Sequence, residues 1–260
     1  MSRSARRAMP LAALRPLPPQ AAAAPTVPLD HPSPTRAHRV YVALTNHCNR
    51  SCPWCSTYSS PAGSTFLPEE RLAAALPTRE PYELQLEGGE PMLHPSFWRF
   101  VEAARADPRC RRLVVATNGT CLPRDPTRLD ATLARLGHPL TIKLSYNHHL
   151  RDHDPGLLAL AVLLRARLGV DPDGRDLFVL NVRLRRGAPD DDADLRRDVE
   201  AAGLGDCANV FFLERYGLAA DRSDWQAPMP VWGDFRLINP DGSAHGTDLV
   251  ARSEAMGALP

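Results

Sequence analysis

Three cysteines near residue 50 have the residue type and the spacing of metal ligands. Cys48, Cys52 and Cys55 follow the pattern C-x3-C-x2-C, directly after an apolar run at residues 40–44. A loop this short can place three thiolates around one compact metal centre. Tetrahedral sites and four-iron cubes both take four ligands, so one position of the centre stays open. The spacing therefore predicts a metal centre that can bind a further ligand.

Polar and glycine-rich sequences follow the later apolar runs of the chain. They read E-G-G-E-P at residues 87–91, T-N-G-T at 117–120, S-Y-N-H-H at 145–149 and E-R at 214–215. In parallel β/α folds the active site lies at the carboxyl ends of the strands. We therefore expect these loops to gather with the cysteine loop at one edge of a sheet.

The elements that must position these loops alternate between strands and helices. Apolar runs predict strands at residues 40–44, 82–86, 113–116, 140–144, 177–184 and 210–213. Start and stop signals predict intervening helices at residues 68–76, 96–106, 126–136, 154–168 and 190–202. Strict alternation predicts an α/β fold with a parallel sheet, and six units fall short of the eight in a closed barrel. We expect an open, partial parallel (β/α)6 barrel.

The two ends of the chain differ from this alternating core. Residues 1–36 are rich in alanine and proline and predict a disordered tail. The barrel is expected to span residues 37–216. Within residues 217–260, a predicted strand at 231–238 is followed by the turn sequence N-P-D-G. This last segment predicts a short C-terminal cap or hairpin.

Composition narrows the class of protein and its compartment. The formal net charge is +1, which gives no general attraction for nucleic acid or an acidic membrane. No apolar run approaches the roughly 20 residues that cross a bilayer. Six cysteines, three of them clustered, favour metal binding in a reducing compartment over a disulfide framework. We expect a cytoplasmic protein without a membrane or nucleic-acid partner.

The combination of motifs resembles the radical S-adenosylmethionine (SAM) superfamily. The three-cysteine loop after a first strand, with Trp54 before the last cysteine, is similar to that family's signature. G-G-E-P at residues 88–91 is similar to its second motif, and T-N-G at 117–119 to its usual third-strand ending. The resemblance covers residues 39–215. No cysteine follows Cys207, so a single-cluster type without auxiliary clusters is expected. We also expect no cobalamin domain, because the chain lacks room for one.

The resemblance implies a set of cofactors and a set of residues that bind them. Cys48, Cys52 and Cys55 would hold one [4Fe–4S] cluster, and SAM would chelate its open iron. The implied cofactor-binding residues are Gly88, Gly89, Glu90, Pro91, Asn118, Ser145, Asn181 and Trp54. We expect the glycines to let backbone approach the SAM amino group closely. The polar side chains are expected at the ribose and carboxylate, although Ser145 and Asn181 also fit plain strand-end residues.

Other residues near the strand ends are further candidates. Trp54 is expected to pack over the cluster or the adenine, or else to anchor the core. His148 and His149 are candidates for positioning substrate or transferring a proton, with solvated loop histidines as the alternative. Cys121 is a candidate donor of a hydrogen atom to a substrate radical, with plain packing as its alternative.

These expectations leave three functions open. The leading hypothesis is reductive cleavage of SAM to a 5′-deoxyadenosyl radical, which abstracts a hydrogen atom from a small molecule or short peptide. A flavodoxin- or ferredoxin-type protein would supply the electron. An alternative is an activase that installs a glycyl radical on a partner protein. An alternative of another class is a zinc-stabilised binding module without catalysis.

Overall fold

The computed structural model describes residues 38–170, 176–185, 187–228 and 233–260. The predicted tail at residues 1–36 lies outside them. Within the described residues, seven strands form one sheet in the order β6-β5-β4-β3-β2-β1-β7, and every pairing is parallel. The strands are β1 (His38–Thr45), β2 (Tyr82–Gly88), β3 (Cys110–Thr117), β4 (Leu140–Tyr146), β5 (Leu177–Leu184), β6 (Ala208–Phe212) and β7 (Phe235–Ile238).

Helices connect these strands and cover one face of the sheet. They are α1 (Glu69–Ala75), α2 (Phe97–Ala106), α3 (Pro126–Leu136), α4 (His148–His153), α5 (Leu157–Leu168), α6 (Pro189–Ala201) and α7 (Leu249–Gly257). Helix α3 shows how local sequence sets their bounds. The Asp125 side chain accepts a hydrogen bond from the Arg128 amide, Pro126 occupies the first turn, and Gly137 ends the helix at a φ of 73°.

The sheet is an open, partial barrel, as the alternating sequence predicts. Residues of all seven strands line one cavity, including Phe211 near one edge of the sheet and Phe235 at the other. A flat sheet could not bring both edges to the same cavity. The opposite sheet face carries fully buried residues such as Leu84, Val115 and Ile142, which form the main hydrophobic core with the helices.

The C-terminal segment contains the predicted hairpin, in which Ile238 and Ala244 form an antiparallel bridge, and adds a strand that was not predicted as part of the sheet. Phe235–Ile238 forms a seventh parallel strand beside β1 rather than only part of a cap or hairpin. Helix α7 then packs against the cysteine loop, where the Ser253 hydroxyl donates to the Ser56 carbonyl at 2.6 Å. Of the predicted strand at 231–238, residues 231 and 232 lie outside the described residues. The segment therefore completes the barrel and closes over its cysteine loop.

The segment after β4 also differs from its prediction. Residues 147–149 were expected in a loop, with the next helix beginning near Asp154. Instead, the Asn147 side chain accepts a hydrogen bond from the Leu150 amide and starts α4 at His148. Helix α5 then begins only at Leu157.

Candidate active site

The cysteine loop joins β1 to α1 at the carboxyl edge of the sheet. Cys48, Cys52 and Cys55 all line the barrel cavity, whose volume is about 260 Å³. Burial is the main cause that raises the pKa of Cys48 to about 12 and the pKa of Cys52 to about 11. Such thiols are poor free nucleophiles, and a bound cation is the usual reason for a buried cysteine to lose its proton. The donor set therefore fits metal ligation.

Glycines at the end of β2 hold this loop against the sheet. The Gly89 amide donates to the Thr45 carbonyl at 2.7 Å, and the Glu90 amide donates to the His47 carbonyl at 3.0 Å. A Cβ on Gly89 would lie 2.0 Å from the His47 carbonyl oxygen, and Gly88 has a φ of +122°. The glycines are thus needed first for close contact with the cysteine loop, a reason that differs from the expected approach to a ligand.

Glu90 connects the ends of β2 and β3. Its side chain is fully buried and accepts hydrogen bonds from the Thr117 hydroxyl at 2.8 Å and the Asn118 amide at 2.9 Å. Burial raises its pKa to about 7. Neither Glu90 nor Pro91 lines the cavity, whereas Gly88 and Gly89 do. The Glu90 side chain therefore fixes the two strand ends and faces away from the space that a cofactor would fill.

Asn118, Ser145 and Asn181 all line the cavity, as the strand-end pattern predicts. The Asn118 Nδ2 donates to the Cys48 sulfur at 3.5 Å and to Asn49 Oδ1 at 3.1 Å. Asn181 Oδ1 accepts from Asn209 at 3.1 Å. Asn118 thus connects the third strand end directly to a cysteine of the loop.

Trp54 lies at the rim of the cavity in a small second hydrophobic cluster. Its ring centroid is 6.4 Å from that of Trp225, and the Arg185 guanidinium lies 5.4 Å from its centroid. Its buried indole Nε1 has no hydrogen-bond partner within the described part of the chain. These contacts fit the core-anchor interpretation, while the position at the cavity keeps a cofactor contact open.

The three candidate catalytic side chains do not line the cavity. His148 is buried on α4, and its Nε2 lies 3.0 Å from Asp192 Oδ1 on α6, so it joins two helices. His149 stacks on His153 with ring centroids 4.1 Å apart. Cys121 lies beyond Thr120, and burial raises its pKa to about 11. The structure therefore places all three away from the space where a reacting substrate would bind.

Several charged and polar cavity residues escaped prediction. Gln85 and Glu87 on β2, Lys143 on β4, Arg183 on β5 and Arg252 on α7 all line the cavity. The four strand residues occupy alternate positions within otherwise apolar strands, which is the signal that could have found them. No comparable signal marks Arg252, because α7 comes close to the barrel only in the folded chain.

The described residues contain neither a compact site for a single metal ion nor a helix that could span a membrane. No group of three or more His, Cys, Asp and Glu side chains is arranged there to hold a single metal ion. A four-iron cube makes a different demand, since each thiolate binds a different iron corner. No helix of the described segments combines the length and apolar character needed to cross a bilayer.

Comparisons with known proteins identify the family. The model described as the Radical SAM superfamily matches residues 42–145. A GTP 3′,8-cyclase of Stenotrophomonas maltophilia (strain R551-3) is 28% identical over 204 residues, covering 69% of this chain and 59% of that protein. A GTP 3′,8-cyclase of Chlorobaculum tepidum is 34% identical over 95 residues, covering 35% and 28%. The crystal structure of BtrN in complex with AdoMet and 2-DOIA is 18% identical, covers 55% of this chain and 56% of that chain, and has a TM-score of 0.37.

An open parallel α/β barrel with a three-cysteine loop at its carboxyl edge defines the class of protein. Residues 42–145 match the radical SAM superfamily, and the chain is similar to enzymes of that type. The cofactors of that family are a [4Fe–4S] cluster and SAM. The chain spans 59% or less of the length of the curated relatives described here.

Proposed function

We propose that Cys48, Cys52 and Cys55 hold one [4Fe–4S] cluster and that SAM and substrate share the cavity beside it. When bound, these cofactors supply a 5′-deoxyadenosyl radical that takes a hydrogen atom from the substrate. The substrate is a small molecule or short peptide, and an external flavodoxin- or ferredoxin-type donor provides the electron. The observation that carries this proposal is that all three thiols line the same cavity as Gly88 and Gly89.

The end of β2 is suited to bind an amino group. The Gly89 and Glu90 amides are already bonded to the cysteine loop, so this edge can offer only carbonyl oxygens. The Gly88 carbonyl accepts a long hydrogen bond, 3.4 Å, from the Thr57 hydroxyl. Since a carbonyl oxygen can accept two hydrogen bonds, it retains capacity for an N–H of SAM.

The end of β3 is suited to tune the cluster that we propose. Asn118 donates to the Cys48 sulfur, and hydrogen bonds to cysteine sulfur tune the reduction potential of iron–sulfur centres. Glu90 fixes the backbone of Asn118 from behind. Glu90 therefore positions Asn118 from outside the cavity.

Anaerobic reconstitution with iron and sulfide tests the proposal. We expect the wild type to bind about four iron and four sulfide per chain, and to form 5′-deoxyadenosine with SAM and dithionite. The Cys52→Ala variant should lose the iron, whereas Cys110→Ala should keep it, because Cys110 does not line the cavity. Uptake of zinc alone, with no 5′-deoxyadenosine, would overturn the proposal in favour of the zinc module.

Substrate identity requires a second comparison. Stimulation of 5′-deoxyadenosine formation by small molecules, with GTP included because of the relatives' names, supports a metabolite substrate. Stimulation only by a partner protein, with a radical appearing on that protein, would support the activase alternative.

A further inference from the structure

Arg252 is held in the cavity wall by contacts on two of its three guanidinium nitrogens. Its Nη1 lies 2.5 Å from Glu87 Oε1, and its Nε donates to Asn239 Oδ1 at 3.2 Å. The residue is only 5% exposed, yet its buried Nη2 has no hydrogen-bond partner among the residues that the structure describes. Burying a guanidinium nitrogen without a hydrogen-bond acceptor costs free energy. The simplest reason for such a nitrogen is that a ligand supplies the acceptor when it binds.

The charges around this nitrogen favour an anion as that acceptor. Among the described residues that line the cavity, the charged side chains are Arg50, Lys143, Arg183 and Arg252 against Glu87 and Glu214. Four cations against two carboxylates leave an excess of positive charge. A cavity with one sign of charge and low-dielectric walls concentrates ligands of the opposite sign.

A chain of side chains links Arg252 to a second cation across the barrel. The Lys143 Nζ donates to Gln85 Oε1 at 2.8 Å, Gln85 Nε2 donates to Glu87, and Glu87 pairs with Arg252. These contacts fix the direction of the guanidinium fork before any ligand binds. A preorganised fork is the side chain best suited to carboxylate and phosphate oxygens.

We propose that Arg252 binds an oxyanion of the substrate, a carboxylate or a phosphate, through its free Nη2. Helix α7 is then the element that binds the substrate, while the cysteine loop, against which α7 packs, holds the cofactors. This inference rests on the proposed function, because it assumes that the substrate occupies the same cavity.

Calorimetric titration of the reconstituted, SAM-loaded protein tests this assignment without measuring turnover. Inorganic phosphate is the probe in one series and succinate in the other, so the two arms separate a phosphate from a carboxylate site. We expect saturable binding of at least one anion, weakened about tenfold or more in Arg252→Gln. In Glu87→Gln the binding should strengthen, because a negative charge beside Arg252 is lost while a hydrogen-bond acceptor for Nη1 remains.

The controls separate anion binding from a structural role. Arg236→Gln removes the same charge from β7 at a residue outside the cavity lining, and its affinity should stay within about twofold of wild type. If Arg252→Gln does not fold, the double variant Glu87→Gln/Arg252→Gln removes both charges of the pair, and its affinity should also be about tenfold lower. Equal weakening by Glu87→Gln and Arg252→Gln would mean that the pair only anchors α7, and would overturn the inference.

The remaining outcomes distinguish the inference from the proposed function. A wild type that forms 5′-deoxyadenosine but binds neither anion overturns the inference alone. Weaker binding of SAM and unchanged binding of both anions in Arg252→Gln assigns the residue to SAM and also overturns it. Anion binding by a chain that takes up no iron would retain the anion site and overturn the proposed function.

Discussion

Two polar layers lie on the inner face of the same barrel and differ in whether their charged side chains face the cavity. In the lower layer, Glu83 receives two hydrogen bonds from Arg39, at 3.0 and 2.8 Å, and lies 3.8 Å from Arg112. In the upper layer, four residues further along β2, Glu87 pairs with Arg252, one guanidinium nitrogen of which has no hydrogen-bond partner among the described residues.

The difference separates a structural layer from a binding layer. Glu83 is fully buried between two arginines, and none of these three residues lines the cavity. Glu87 and Arg252 do line it. The sheet therefore keeps the charges of its lower end out of the cavity and presents the Glu87–Arg252 pair to the cavity at the end that carries the cysteine loop.

The largest expected effect comes from breaking the lower layer. Glu83→Gln removes the charge between Arg39 and Arg112 and should destabilise the fold by about 3–5 kcal/mol, measured by urea unfolding of the reconstituted protein. Glu80→Gln, at an exposed residue just before β2, should change stability by less than about 0.5 kcal/mol. Equal effects of the two substitutions would remove the distinction between the layers.

A smaller loss of stability, coupled to loss of the cluster, is expected at the edge of the upper layer. Gly89→Ala would place a methyl group 2.0 Å from the His47 carbonyl oxygen and push the cysteine loop off β2. We expect a cost of about 1–3 kcal/mol together with reduced iron content after reconstitution. Gly156→Ala, where the nearest atom to the new Cβ lies at 3.5 Å, is the matched control. Normal iron content in Gly89→Ala would show that the loop does not depend on this contact.

The sequence predicted the strands, the helices and the cysteine site more fully than the polar side chains inside the barrel. The helix at 126–136 and the strand at 177–184 match the observed bounds, because caps and a mostly apolar run, interrupted at Asn181 and Arg183, define them locally. Strand β7 was not recognised as part of the sheet, since its pairing with β1 joins residues far apart in sequence. Its short length gives no local sign of that partner.

The side chains of the site divide in the same way. The strand-end residues Asn118, Ser145 and Asn181 could be predicted, because parallel strands bring their carboxyl ends together. The role of Glu90 could not be predicted, because Thr117 and Asn118, which donate hydrogen bonds to its carboxylate, lie at the end of another strand. Lys143 was visible as a charged residue inside an apolar strand, and alternation along that strand points it into the barrel.

The pH dependence of stability distinguishes Glu90 from Glu83 of the lower layer. Arginine donates hydrogen bonds to Glu83, whereas a hydroxyl and backbone amides donate to Glu90. Burial raises the pKa of Glu90 from 4.5 to about 7. The native chain therefore keeps a proton that the unfolded chain loses between these values, so stability should fall as pH rises from about 4.5 to about 7. The full contribution is on the order of 3 kcal/mol.

Urea unfolding of the reconstituted protein between pH 5.5 and 8 measures this dependence. Glu90→Gln keeps an acceptor in place of the protonated acid, so the fall in stability below pH 7 should be smaller than in wild type. Glu102→Gln, at an exposed residue of α2, should retain the wild-type slope. Identical slopes in wild type and Glu90→Gln would mean that another group carries the dependence.

The smallest effect is expected at Cys121, which lies outside both layers. Its side chain does not line the cavity, and burial raises the pKa of its thiol to about 11. If it were the donor of a hydrogen atom to substrate, Cys121→Ser would stop product formation while 5′-deoxyadenosine still accumulated. We expect instead that product and 5′-deoxyadenosine change together and by less than about twofold, as is usual for a surface substitution away from a site. A selective loss of product would show that the chain moves Cys121 into the cavity when substrate binds.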